Sequence, residues 1–76
     1  MIGQEIRRAR RAAGLTQEQL GFESKLHRTY ISLLERDKKS PTLDALFRLC
    51  DAMKIRPSTL VGRIEKHRKP RKQRKL

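Results

Sequence analysis

The sequence predicts an all-α fold, five short helices forming one small domain ahead of a basic tail. Three observations carry this. Apolar residues recur at three- and four-residue spacing, and no stretch alternates in the period-two pattern of a half-buried strand. Residues that begin and end helices stand at the edges of those stretches. The chain has 76 residues, the length of one domain, and a chain this short buries only about 60% of the surface its unfolded form exposes.

The first helix is read from Ile2, Ile6, Ala9 and Ala13, with Arg7, Arg8 and Arg11 on its wet side. Gly14 suits the residue just past its end, because glycine accepts positive φ. The second helix starts at Thr16, an N-cap residue with Gln19 three positions on to complete a capping box. It reaches about Ser24, too short to persist without its neighbours. The third covers about Arg28–Arg36, with Ile31 and Leu34 inward. A polar loop, Asp37 to Pro41, leads to the fourth helix, capped by Thr42 and with Asp44 in its first turn. Leu43, Leu46, Leu49, Cys50 and Met53 give it a wide apolar face. Pro57 fits the first turn of a fifth helix presenting Leu60, Val61 and Ile64.

The formal net charge is +12, which points to a polyanionic partner, with nucleic acid first. The charge is uneven, because residues 63–76 hold eight Lys and Arg against the single acid Glu65. The domain is placed at residues 1–66 and a disordered basic tail at 67–76, where apolar residues stop recurring. No segment approaches the ~20 apolar residues of a membrane span, and the early arginines interrupt any secretory signal. A cytoplasmic protein is expected, and the lone Cys50 fits a reducing compartment. Cys50 itself reads as a small buried hydrophobe. His27 and His67 stand apart from other ligand residues, so no metal is expected. There is no nucleophile–base–carboxylate set and no glycine-rich phosphate loop, so neither catalysis nor a cofactor is expected.

The segment Gly14-Leu15-Thr16-Gln17-Glu18-Gln19-Leu20 followed by His27–Arg36 reads as a short helix, a tight turn and a second helix with a polar start. Such a helix is the right size for the major groove of B-DNA. Together with Tyr30-Ile31-Ser32, Leu34-Glu35-Arg36 and Leu43-x-x-Leu46, these residues resemble the lambda-repressor-like, or xenobiotic-response-element, helix-turn-helix family over about residues 2–62. Arg28-Thr29-Tyr30-Ile31-Ser32 is also similar to the short controller proteins of restriction–modification systems. The resemblance implies a five-helix domain of bacterial or phage origin that regulates transcription, binding operators as a two-fold dimer. Three residues depart from the family pattern. Lys25 and Lys54 stand where turn glycines are usual, each with about 1–2 kcal/mol of strain if φ is positive. His27 replaces the usual Ser or Asp cap.

With Ile31 and Leu34 inward, Arg28, Thr29, Ser32 and Leu33 are the candidate base-reading residues. Arg28 can donate two hydrogen bonds to guanine, and Leu33 suits a thymine methyl unless it belongs to the core. Gln17, Tyr30, Arg36, Lys38 and Lys39 are the candidate phosphate contacts, Gln17 because α-helix starts expose unpaired N–H groups. Tyr30 reads equally as structural. Glu35 is expected to pair within the domain, with an arginine of the first helix. Gly21 is expected to let helices two and three approach, and Phe22 to pack locally. Phe47, Leu60, Val61 and Ile64 form a candidate homodimer interface, with Phe47 alternatively covering the fifth helix. A rival reading makes the chain an antitoxin or transcription adaptor whose main partner is another protein. A third makes it a non-specific nucleic-acid binder acting through the tail.

Overall fold

A computed structural model describes residues 2–68, and they form five α-helices with no strand among the described residues. These are α1 (Ile2–Ala12), α2 (Gln17–Ser24), α3 (Arg28–Glu35), α4 (Leu43–Met53) and α5 (Pro57–His67). The order and boundaries follow the caps read from the sequence. Thr16 Oγ1 accepts from Gln19 N at 3.0 Å while Gln19 Oε1 accepts from Thr16 N at 2.9 Å, closing the capping box. Thr42 Oγ1 accepts from Ala45 N at 3.0 Å, and Pro57 sits in the first turn of α5. His27 does cap α3, its Nδ1 accepting from Thr29 N at 3.1 Å. α5 continues through His67, one residue into the expected tail. Residues 69–76, the rest of that tail, lie outside the described residues.

α1 packs on α3 and α5, α2 on α3 and α4, and α4 on α5. Ile6, Leu20, Ile31, Leu34, Leu49, Cys50 and Leu60 are fully enclosed, so each helix supplies at least one side chain to one core. Burial pushes the Cys50 thiol pKa up, with Asp51 adding to it, which leaves the thiol protonated and inert. Three expectations need correcting. Ala13 is exposed, because α1 ends at Ala12 and the chain turns away from the core. Leu43 is 68% exposed, because the inward stripe of α4 runs through Ala45, Leu46, Leu49, Cys50 and Met53. Phe22 is 86% exposed, at the wall of an open hollow beside Leu15 and Gln19, because α2 turns Leu20, Gly21 and Ser24 inward instead.

The first four helices end alike. A residue just past each adopts positive φ, at Gly14 (74°), Lys25 (59°), Asp37 (56°) and Lys54 (55°). The following N–H then returns to the helix, as Leu15 to Arg10, Leu26 to Gly21, Lys38 to Leu33 and Ile55 to Cys50, at 2.9–3.1 Å. Leu15, Leu26 and Ile55 also pack against the core. These bonds and apolar contacts offset the strain of a lysine at positions 25 and 54. Asp37 is the same device in the loop after α3, where the sequence predicts only a polar connection. Its Oδ1 also accepts from Gly3 N at 2.9 Å, so the turn that closes α3 caps the start of α1.

Candidate nucleic-acid interface

Helix α3 owes its placement to one buried carboxylate. Glu35 has no side-chain exposure. Arg10 Nε donates to Glu35 Oε2 at 2.6 Å and Arg10 Nη2 donates to Oε1 at 3.0 Å, a two-pronged contact. Arg7 Nε and Gln17 Nε2 donate to the same Oε1 at 3.3 and 3.1 Å. Arg10 Nη1 also donates to the Leu15 carbonyl at 2.8 Å. The cluster therefore joins α1, the α1–α2 turn, the first residue of α2 and the last residue of α3. Burial raises the Glu35 pKa, but the bonds from Arg10, Gln17 and Arg7 outweigh it and hold the carboxyl below its ordinary range. The expected pairing of Glu35 with a helix-one arginine is what the structure contains. The partner is principally Arg10, a residue without a role among the sequence expectations.

Two glycines bring the helices close enough for this. A Cβ at Gly21 would stand 2.7 Å from the Leu26 carbonyl oxygen and 3.3 Å from Arg28 N, so α2 meets the turn before α3 at backbone distance. The expectation for Gly21 holds. A Cβ at Gly3 would collide with the carbonyls of Leu34 and Glu35, where the start of α1 abuts the end of α3. Glu5 is buried in the same helix, with Oε2 accepting from Arg8 at 3.4 Å and Oε1 without a hydrogen-bond partner among the described residues.

With its inner face fixed, α3 leaves its first two residues exposed. Its eight residues make about two turns, and an α-helix with its side chains is about 10–12 Å across, which a major groove about 12 Å wide admits. Arg28 and Thr29 are exposed at its start, and Ser32 and Leu33 are half-buried along the flank. Leu33 thus belongs to neither the closed core nor the open surface. Tyr30 is half-buried with its side chain packed against the core. Arg28 Nη1 donates to Glu18 Oε2 at 3.2 Å, across to α2. Gln17 lies at the start of α2 with its amide committed to Glu35, which leaves a second N–H and the oxygen. Arg36, Lys38 and Lys39 are exposed where α3 runs into the next loop, and Arg36 Nε reaches back to the Ser32 carbonyl at 3.4 Å. The candidate base-reading and phosphate-binding residues therefore run the length of α3, from Arg28 at its start to Lys38 and Lys39 past its end, with Gln17 at the start of α2. The candidate dimer residues lie on α4 and α5. Phe47 and Val61 are 48% and 45% exposed and Ile64 is half-buried, but Leu60 is fully enclosed in the domain's own core and offers a partner nothing. No group of His, Cys, Asp and Glu among the described residues could hold a metal, and no described helix is long and apolar enough to cross a membrane.

An exposed, polar-started helix clamped behind a short companion helix is the geometry of a helix-turn-helix, and the chain belongs to the helix-turn-helix family, whose model matches residues 6–60. Among its relatives is the control protein C.BamHI of Bacillus amyloliquefaciens, 37% identical over 62 residues, covering 80% of this chain and 76% of that protein. The restriction-modification controller protein C.AhdI from Aeromonas hydrophila has a similar structure, with a TM-score of 0.75 and 39% identity over 78% of this chain and 89% of its own. The biofilm regulator SinR, whose structure was solved in complex with DNA, superposes with a TM-score of 0.76 at 26% identity, covering 80% of this chain and 98% of that one.

Proposed function

We propose that this protein is a sequence-specific DNA-binding transcriptional regulator that inserts α3 into the major groove. The observation that carries this reading is the placement of Arg28 and Thr29, exposed at the start of a helix whose opposite face is locked to the core through Ile31, Leu34 and Glu35. Arg28, Thr29, Ser32 and Leu33 contact base edges. Gln17, Tyr30, Arg36, Lys38 and Lys39 fix the position on the phosphates. The controller relatives and the DNA complex of SinR support the reading. Two subunits, joined through Phe47, Val61 and Ile64, place their α3 helices about 34 Å apart on a near-palindromic site. The protein acts without a cofactor or a catalytic step, in the cytoplasm of a bacterium or phage-bearing host.

Selection of bound sequences from a random duplex pool tests this. A single preferred motif with two-fold symmetry is expected. Arg28→Ala should then weaken binding to that motif by about 1–3 kcal/mol and relax the preference at one base pair. Equal losses on the selected site and on random duplex would remove Arg28 from base reading.

The adaptor reading has one observation of its own, the bare Phe22 ring on the face of α2 turned away from the core. It predicts a stable protein complex that Phe22→Ser abolishes, and no motif from the DNA pool.

A further inference from the structure

The side chain that meets Arg28 from α2 is acidic. Arg28 Nη1 and Glu18 Oε2 are 3.2 Å apart, although the side chains are 60% and 77% exposed and burial does not force them together. The carboxylate stands on a well-fixed segment. The capping box holds the first turn of α2, Gln17 is tied to Glu35, and Gly21 seats the helix against the turn that leads into Arg28. A guanidinium carries five N–H groups in a planar fork. With one Nη1 hydrogen on Glu18, the remaining edge still offers the two parallel donors that guanine O6 and N7 accept.

We propose that Glu18 is a positioning residue for base recognition, fixing the plane of the Arg28 guanidinium so that its free edge is presented to the groove. The proposal rests on Arg28 being a base reader and adds the reason its long side chain is aimed before DNA arrives. A carboxylate at this boundary also repels phosphates. Removing its charge should therefore raise affinity for random duplex while weakening discrimination, two effects of opposite sign that general charge removal does not produce together.

The experiment compares the parent, Glu18→Gln, Arg28→Ala, the double variant and Glu23→Gln. Each is titrated against the selected site, its single base-pair variants and a random duplex of equal length. Glu18→Gln should weaken the preference about two- to fivefold, the range of one exposed ion pair, at the same base pair whose preference Arg28→Ala abolishes. The double variant should show no further loss there. Glu23→Gln, the same charge change on the same helix, should keep the preference intact. The proposal is overturned if Glu18→Gln strengthens selected and random binding by one factor, alters other base pairs instead, or acts undiminished in the Arg28→Ala background. An Arg28→Ala protein with the parent's preference at every base pair would overturn the base-reading role, and this proposal with it.

Discussion

Glu35 is the residue on which Arg10, Arg7 and Gln17 converge behind α3. Deleting its carboxylate strands the Arg10 charge in a nearly closed site, so Glu35→Ala should cost about 3–5 kcal/mol, measured by urea unfolding. The carboxyl pKas of Glu35 and Asp37 are both lowered in the folded protein. For Glu35, burial opposes the shift and the Arg10, Gln17 and Arg7 bonds impose it, while the Gly3 N–H leads at Asp37. A carboxylate whose folded pKa lies below its unfolded value stabilises the fold above the unfolded value. That contribution is lost as pH falls through the folded one. The melting temperature should therefore hold through neutral pH and drop below about pH 4, with a shallower acid limb in Glu35→Gln. An acid limb identical in parent and variant would exclude Glu35 as its source. A signal for this cluster exists in the sequence. Arg10 and Glu35 each stand four residues after a core isoleucine, Ile6 and Ile31, so both fall on inward faces.

At the scale of the element, boundaries were legible because caps are local chemistry. Thr16, Gln19, Thr42 and Pro57 act within a turn of where they stand, and the helices begin where those residues place them. The ends were less legible where the left-handed position carries lysine or aspartate instead of glycine. Lys25→Gly and Lys54→Gly relieve left-handed strain of about 1–2 kcal/mol each. Glycine's greater freedom in the unfolded chain takes back part of that. Each should raise the melting temperature by several degrees, since about 1 kcal/mol moves a domain this small by roughly 4–8 °C. A lower melting temperature in both would mean that the lysine stems are held by contacts that offset the strain. Gly21→Ala should move the other way, by about 1–3 kcal/mol, because a methyl group 2.7 Å from the Leu26 carbonyl must push α2 off the turn before α3. Its preference for the selected site over random duplex should also fall, as the same shift displaces Glu18 from Arg28.

For the whole molecule, the proposed two-fold site requires a second copy of the domain. Phe47 on α4 and Val61 on α5 are exposed apolar residues, and Ile64 on α5 is half-buried, which makes them the proposed two-fold contact. Phe47→Asp should give a monomer by sedimentation at concentrations where the parent is dimeric, with weak half-site binding retained. Persistent dimers would place the two-fold contact elsewhere. Removing residues 69–76 takes away five Lys and Arg. It should flatten the slope of log K against log salt by about 0.9 for each phosphate that the tail neutralises, leaving sequence preference unchanged. An unaltered slope would exclude the tail from the DNA complex.

The amino-acid sequence by itself determined the five helices, their starts, the inward residues Ile6, Ile31, Leu34 and Leu49, and the outward start of α3, but not that Leu60 turns into the core. Each of these follows from spacing along one helix or from a cap within one turn. Only the tertiary structure decided that Arg10, Arg7 and Gln17 converge on Glu35, that Asp37 closes α1, that Glu18 meets Arg28, and that Phe22 and Leu43 are left outside. Those outcomes depend on the angle and distance at which helices remote in sequence cross, and no periodicity along a single helix encodes them.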